Sequence, residues 1–214
     1  MIAFDRQEAL RYLGYRNTEP DTAVADSLAR CAAELQAAVQ PKSVFAAFPL
    51  SHPAENTLEI AGVTIHSKNL SRNLKGCEQV YLMAATLGVT ADRLIARASA
   101  VRMSDAVLYQ AAAAAMIETY CDDVNDAIRQ EAESAGLYCR PRFSPGYGDF
   151  DISHQRDLSR LLDTPRKIGL TVTESCLLAP IKSVTAVIGL SRTPQPCHRR
   201  GCEECGKTNC AFRR

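Results

Sequence analysis

Between Ser104 and Ala135 the chain contains neither proline nor glycine, and Val107, Ala111, Ala114, Ile117, Cys121, Val124 and Ile128 recur along it at the spacing of one helix face. This predicts a helix over about 104–135, the longest in the chain and stopped by Gly136. An apolar stripe of that length has to be covered by other elements. The run Ala111 to Ala115 makes the helix slim, so another backbone or a ligand can approach it closely.

The remaining elements are short. Asp5 is placed to cap a helix ending near Gly14, and a second helix is expected over 19–40, where Val24, Leu28, Cys31, Leu35 and Val39 share a face before Pro41. Residues 42–50 and 57–65 read as strands, 66–74 as a short helix, 80–86 as a buried strand, and 89–101 as a helix. A loop punctuated by Pro and Gly is expected over 138–150, then a helix over 153–162 and strands over 167–173 and 183–190. Strands and helices mix without regular βαβ alternation. That predicts an α+β domain with a twisted, mostly antiparallel sheet and flanking helices. Pro194 and Pro196 mark a boundary, so residues 1–191 are expected to form one domain and 192–214 a short Cys-rich tail.

Composition narrows the function classes. The segment 197–214 holds five Lys or Arg against two acids, a local +3, which leaves −2 for the rest of a chain of net charge +1. Such a body has no electrostatic footprint for nucleic acid. No apolar run approaches the roughly 20 residues needed to cross a bilayer. The opening residues MIAFDRQEAL lack the basic lead and apolar core of a signal peptide, so a cytoplasmic location is expected.

Nine cysteines, an odd number, in a chain without an export signal point away from a disulfide framework. Cys31, Cys77, Cys121, Cys139 and Cys176 are scattered, as expected of small interior residues. The other four read Cys197-x4-Cys202-x2-Cys205-x4-Cys210. Four thiols this close, with Gly201 and Gly206 permitting tight turns, suit a tetrahedral sulfur site for zinc or a [4Fe-4S] cluster. Arg199, Arg200 and Lys207 would offset the thiolate charge. The flanking spacings match neither standard pattern closely, and exposed thiols without metal are the alternative.

Two further segments carry chemistry. In Arg142-Phe143-Ser144-Pro145-Gly146-Tyr147-Gly148-Asp149, Pro145-Gly146 suits the centre of a type II turn, which presents main-chain groups at its apex. Arg142 can hold a carboxylate bidentately, and Tyr147 offers a ring face for an adenine or a cation. An ordinary surface turn is the plainer reading of the same residues. In Thr173-Glu174-Ser175-Cys176-Leu177-Leu178-Ala179-Pro180, polar residues interrupt an apolar stretch, so Glu174 has to be solvated, capped or placed at a cleft.

Taken in order, the two segments resemble the activation domain of cobalamin-dependent methionine synthase, in its stand-alone form encoded apart from the large enzyme. That family has an R-x-x-P-G-Y loop, a helix, a T-E-S-x-x-x-x-P segment and a Ser-Val strand, here Arg142 to Tyr147, Thr173 to Pro180 and Ser183-Val184. The resemblance implies a C-shaped domain that binds S-adenosylmethionine in a cleft. It also implies that the domain supports reductive remethylation of cob(II)alamin to methylcobalamin, the cobalamin being held by a separate methionine synthase subunit. By the same resemblance Arg142 clamps the methionine carboxylate, and Ser144 and Gly146 give main-chain contacts. Tyr147 is the catalytic residue facing the cobalt, Glu118 contacts the nucleoside, and Glu174 lies at the cleft. The family's N-terminal acidic ligand and the tyrosine after its Ser-Val strand have no counterpart here.

The cysteine tail is foreign to the fused domain. Because reactivation takes a low-potential electron from a donor protein, an iron–sulfur relay is one use for that tail. The chain is not expected to make methionine alone. A zinc-stabilised interaction or assembly factor is the alternative from another class, and an activator of a different corrinoid methyltransferase is a third. Ligand binding separates the first two.

Overall fold

The computed structural model describes residues 2–15 and 18–194. Two capped helices come first. Asp5 accepts from the amide of Glu8 at 2.9 Å to start α1 (Arg6–Tyr12), and Asp21 accepts from Val24 at 2.8 Å to start α2 (Thr22–Ala38). The chain then forms β1 (Lys42–Ala54), β2 (Thr57–Ile60), β3 (Val63–His66), α3 (Lys68–Asn73) and β4 (Gln79–Thr86). Next come α4 (Val89–Val101), α5 (Met103–Ser134) and the short β5 (Tyr138–Cys139). A single turn of 3-10 helix (Ile152–His154) leads into α6 (Gln155–Leu162), followed by α7 (Thr164–Ile168), β6 (Thr171–Val172), β7 (Leu178–Ala179) and β8 (Ser183–Ser191).

The long helix is present as expected. Its end is a Schellman motif: Gly136 sits at φ 70, its amide reaches the Glu133 carbonyl at 3.0 Å, and the Leu137 amide reaches Ala132 at 2.9 Å. Only Arg102, in extended conformation, separates α5 from α4.

Six strands form one antiparallel sheet in the order β3-β2-β1-β4-β8-β5, and β6 and β7 form a separate pair. Alternation along β4 divides the interior in two. Tyr81, Met83 and Ala85 face α1, α2, α4 and α5, whereas Val80, Leu82 and Ala84 face the side covered by α3, α6 and α7. Each fully buried Leu or Ile, such as Leu35 and Leu82 at 0% exposure, contributes roughly 1.5–3 kcal/mol. The α+β antiparallel architecture therefore agrees with the sequence reading.

Four segments differ from it. Residues 57–65 are a hairpin rather than one strand, because Ala61 (φ 48) and Gly62 (φ 78) form a two-residue turn that pairs Ile60 with Val63. β1 runs past residue 50 and changes partner, pairing with β4 as far as Pro49 and with β2 from Leu50 onward. Residues 167–173 are strand in part only: Pro165 near the start favours α7, which runs to Ile168, Gly169 at φ 70 ends it, and of this stretch only Thr171 and Val172 pair with another strand. Within the expected loop, Tyr138 and Cys139 add β5 to the sheet.

Cys31, Cys77, Cys121, Cys139 and Cys176 are all buried, as expected of interior residues. Arg140 is buried too, at 6% exposure. Its stem lies over Gly189, where a Cβ would come within 3.0 Å of Arg140 Cγ and 2.8 Å of Cys77 Sγ. Among the described residues no helix is long and apolar enough to cross a membrane.

Candidate functional site

The loop between β5 and α6 is attached to α3 and to β8 at several points. Pro141 accepts from Asn73 Nδ2 at 3.4 Å, and Phe143 forms an antiparallel bridge to Val187 of β8 with two 2.9 Å hydrogen bonds. Pro145 and Gly146 then make the expected type II turn. Gly146 has φ 92, and the Tyr147 amide donates to the Ser144 carbonyl at 3.2 Å. A second turn closes behind it, with Gly146 N–H donating to Phe150 at 2.7 Å and Phe150 N–H to Tyr147 at 3.0 Å.

Asp149 joins this loop to the start of α3. One carboxylate oxygen accepts from Ser67 Oγ at 2.6 Å and from the Asn69 amide at 3.1 Å, and the other accepts from the Lys68 amide at 2.8 Å. The Ser67 hydroxyl, with help from these amides, holds the Asp149 carboxyl below the usual carboxylate range. Phe150 is 1% exposed and stacks on His154 with centroids 5.5 Å apart. With its neighbours anchored inward, Tyr147 projects outward at 67% exposure.

Arg142 meets α5 at the root of the loop. Its Nη2 lies 2.9 Å from Asp122 Oδ1 and 3.7 Å from Glu118 Oε2, two carboxylates one helical turn apart. Nη2 makes the closest approach to both carboxylates. Between the two acids Cys121 points into the core, where burial pushes its thiol up to about 12. It is a packing residue and not a nucleophile at neutral pH. Gln110, Ala114, Glu118 and Asp122 follow one another at intervals of four along α5, a stripe beside the slim alanine run. At the Gln110 end Lys182 Nζ donates to the Gln110 carbonyl at 3.2 Å, and burial lowers the pKa of its amine.

The second segment is a tight hairpin turn between β6 and β7. Thr173 holds it, its hydroxyl accepting from the Leu177 amide at 3.0 Å and its carbonyl from the Cys176 amide at 3.0 Å. Cys176 adopts φ 62, a left-handed conformation usual for glycine. Glu174 is exposed at the tip, and its carbonyl accepts from Arg156 Nη2 of α6 at 2.6 Å. Ile181, just beyond, is tied to α4 by its backbone N–H, which donates to the Asp92 carboxylate at 2.9 Å.

Of the residues singled out in the sequence, Glu118 and Arg142 are brought together, Ser144 and Gly146 form the turn, and Tyr147 stands exposed on it. Glu174 lies on a different element, connected to the loop's following helix through Arg156. Asp122, Asp149 and Arg156 were not anticipated. The spacing of four from Glu118 was a readable sign for Asp122, whereas the partners of Asp149 lie some eighty residues away and leave no local sign. Cys197, Cys202, Cys205 and Cys210 lie outside the described residues. Among the described residues no group of His, Cys, Asp and Glu is arranged to hold a metal.

This geometry can be compared with known proteins. No curated protein sequence matches the chain significantly. Among solved structures, the crystal structure of the MetH reactivation domain bound to AdoHcy superposes with a TM-score of 0.65 at 16% identity, covering 86% of this chain and 73% of that one. At that identity the likeness establishes the fold alone. The family description that matches residues 70–195 is the vitamin B12 dependent methionine synthase activation domain, and the match takes in the end of α3, the long helix, both loops and β8. Spanning more than half of the chain, it shows that this protein belongs to the family of the vitamin B12 dependent methionine synthase activation domain.

Proposed function

We propose that this chain binds S-adenosylmethionine in the groove between α5 and the 142–150 loop. There it presents the methyl group for reductive remethylation of cob(II)alamin held by a separate cobalamin-dependent methionine synthase. The observation that carries the reading is the Arg142 guanidinium, held beside Asp122 and Glu118 at the root of a turn that exposes Tyr147. The bound-ligand description of the structurally similar MetH reactivation domain is in keeping with it.

Each residue has a task in this reading. Arg142 takes the ligand carboxylate by charge-assisted hydrogen bonds. Ser144 and Gly146 offer main-chain groups at the turn apex, and Tyr147 sets its ring against the sulfonium, a cation that an aromatic face favours. Glu118 serves the nucleoside, and Glu174 borders the groove on the 173–177 turn. The cobalamin on the partner supplies the methyl acceptor once reduced by a low-potential donor. This chain's own contribution is to bind, orient and shield the sulfonium ligand. It carries no residues assigned to the methionine-forming transfer and acts as an accessory subunit in the cytoplasm.

In the same reading residues 1–191 are the activation-like domain and 192–214 an appended module. Cys197, Cys202, Cys205 and Cys210 supply the four-sulfur donor set that zinc or a [4Fe-4S] cluster takes, and a cluster would carry electrons singly. Iron, sulfide and zinc analysis of anaerobically prepared protein separates these. Stoichiometric zinc without iron or sulfide excludes the relay.

Titration calorimetry tests the main proposal. S-adenosylmethionine binds the full chain, and Arg142→Ala weakens it about tenfold or more through loss of a charged hydrogen-bond donor. Undiminished binding in that variant overturns the assignment of Arg142. Absence of binding to the wild-type chain overturns the functional reading.

A further inference from the structure

We propose that Asp149 is the positioning residue of this site: by binding the start of α3 it fixes the direction in which Tyr147 leaves the loop. The inference rests on the reading that Tyr147 faces the ligand, and it names the group that aims it.

The geometry leaves Tyr147 little support of its own. Its side chain is 67% exposed, so packing does not orient it, and its direction follows from the main chain of 144–148. That stretch is fixed upstream by the Phe143–Val187 bridge and downstream by buried Phe150. Asp149 lies between Tyr147 and Phe150 and is the side chain that ties this stretch to α3. The first amides of a helix have no partner inside it. In α3 the Ser67 hydroxyl covers Leu70 N–H at 3.0 Å, and the Asp149 carboxylate covers Lys68 and Asn69 while also accepting from Ser67 Oγ. A single carboxylate so placed removes rotation as well as translation from the segment it belongs to.

Gly148 makes the approach possible. A Cβ at that position would lie 2.3 Å from Asn69 Nδ2 and 3.1 Å from its Cγ, so a side chain there would have to push Asn69 aside, and φ 57 is a conformation that suits glycine. The depressed carboxyl pKa accords with a permanently charged anchor. Because Phe143 and Phe150 hold the loop independently, removing Asp149 should free Tyr147 while the domain stays folded.

The chain has no tryptophan, so Tyr147→Trp creates a single reporter at the position in question. Time-resolved anisotropy of that full-length protein should show a ring that moves with the domain. Adding Asp149→Ala should introduce fast local rotation. Asp149→Asn, which keeps one carbonyl acceptor, should fall between the two. Identical decays in all three overturn the proposal.

Two measurements need no reporter. Amide hydrogen exchange at Lys68 and Asn69 should quicken in Asp149→Ala, and unchanged protection there also overturns the clamp. With S-adenosylmethionine and the cobalamin protein, Asp149→Ala in the chain that keeps Tyr147 should reduce the remethylation rate about tenfold to a hundredfold through misplacement of the ring. Its Kd should change less than about threefold. Equal losses in rate and affinity overturn a positioning role. If the wild-type chain binds no S-adenosylmethionine the functional reading fails, and the anisotropy and exchange results still decide whether Asp149 holds the loop.

Discussion

The 142–150 loop and the 173–177 turn follow one another in the sequence motif, but the fold holds them in different ways. The first is fixed by a two-bond bridge to β8, a carboxylate on the start of α3 and a phenylalanine in the core. The second is a turn closed by its own Thr173 and tied to α6 by one arginine. A segment anchored by buried aromatic carbon and converging hydrogen bonds is pre-organised. One held by a solvent-exposed bond can adjust to what it meets. In this molecule the rigid segment carries Arg142 and Tyr147, while the adjustable one carries Glu174.

That contrast can be broken by substitution. The largest effect is expected at Phe150: Phe150→Ala empties a fully buried site and should cost about 3–5 kcal/mol. At about 2–4 °C per kcal/mol for a chain of this size, thermal denaturation should shift by roughly 6–20 °C. A shift no larger than that of an exposed residue would show that the loop is not anchored through its aromatic core.

Arg142→Ala comes next and separates chemistry from stability. Its ion pairs are partly exposed, so the melting temperature should move by only a degree or two. Affinity for S-adenosylmethionine should fall about tenfold to 150-fold, the equivalent of roughly 1.5–3 kcal/mol for a charged hydrogen bond.

The third expectation concerns pH and applies to the 142–150 loop alone. The Asp149 carboxyl lies below its ordinary range in the folded chain, so its stabilising contribution is complete above the unfolded value near 4 and is lost as pH falls through the lower folded value. Anisotropy of the indole in the Tyr147→Trp variant should therefore report loosening only in acid below about pH 4. The same loss at neutral pH would contradict the cause given for the shift.

The smallest effect should come from Arg156→Ala. A single exposed bond to the Glu174 carbonyl is worth under about 1 kcal/mol, at most about a fivefold change in affinity, and Arg156→Lys should recover part of it. A large loss would mean that the 173–177 turn is as pre-organised as its counterpart.

Much of the fold was legible because local rules and tertiary packing agree. The 3.6-residue period of α5, the Asp caps of α1 and α2, and the Gly136 stop are decided within a few residues of chain. Where expectation and structure part, the deciding force was not local. Nothing near Ala61 announces a left-handed conformation, and it is tolerated because pairing β2 with β3 buries Leu58, Ile60, Val63 and Ile65. Residues 167–173 have strand-like composition, yet Pro165 and Gly169 frame a helix that buries Ile168.

The candidate site divides along the same line. The type II turn at Pro145-Gly146 could be read from residue types, whereas Glu118 was marked only by the family resemblance and its meeting with Arg142 was not foreseen. Asp149 could not, because an aspartate after a glycine in a loop has no recognisable partner until α3 arrives beside it.

By itself the sequence determined the α+β class, the long alanine-rich helix, the turn that exposes Tyr147 and the burial of five cysteines, since each follows from periodicity, backbone permissiveness or side-chain size. Tertiary structure alone decided which carboxylates meet Arg142, which amides receive Asp149 and how firmly each loop is held. Those contacts join segments far apart in the chain, and only the closed sheet with its two packed faces brings them within hydrogen-bonding distance.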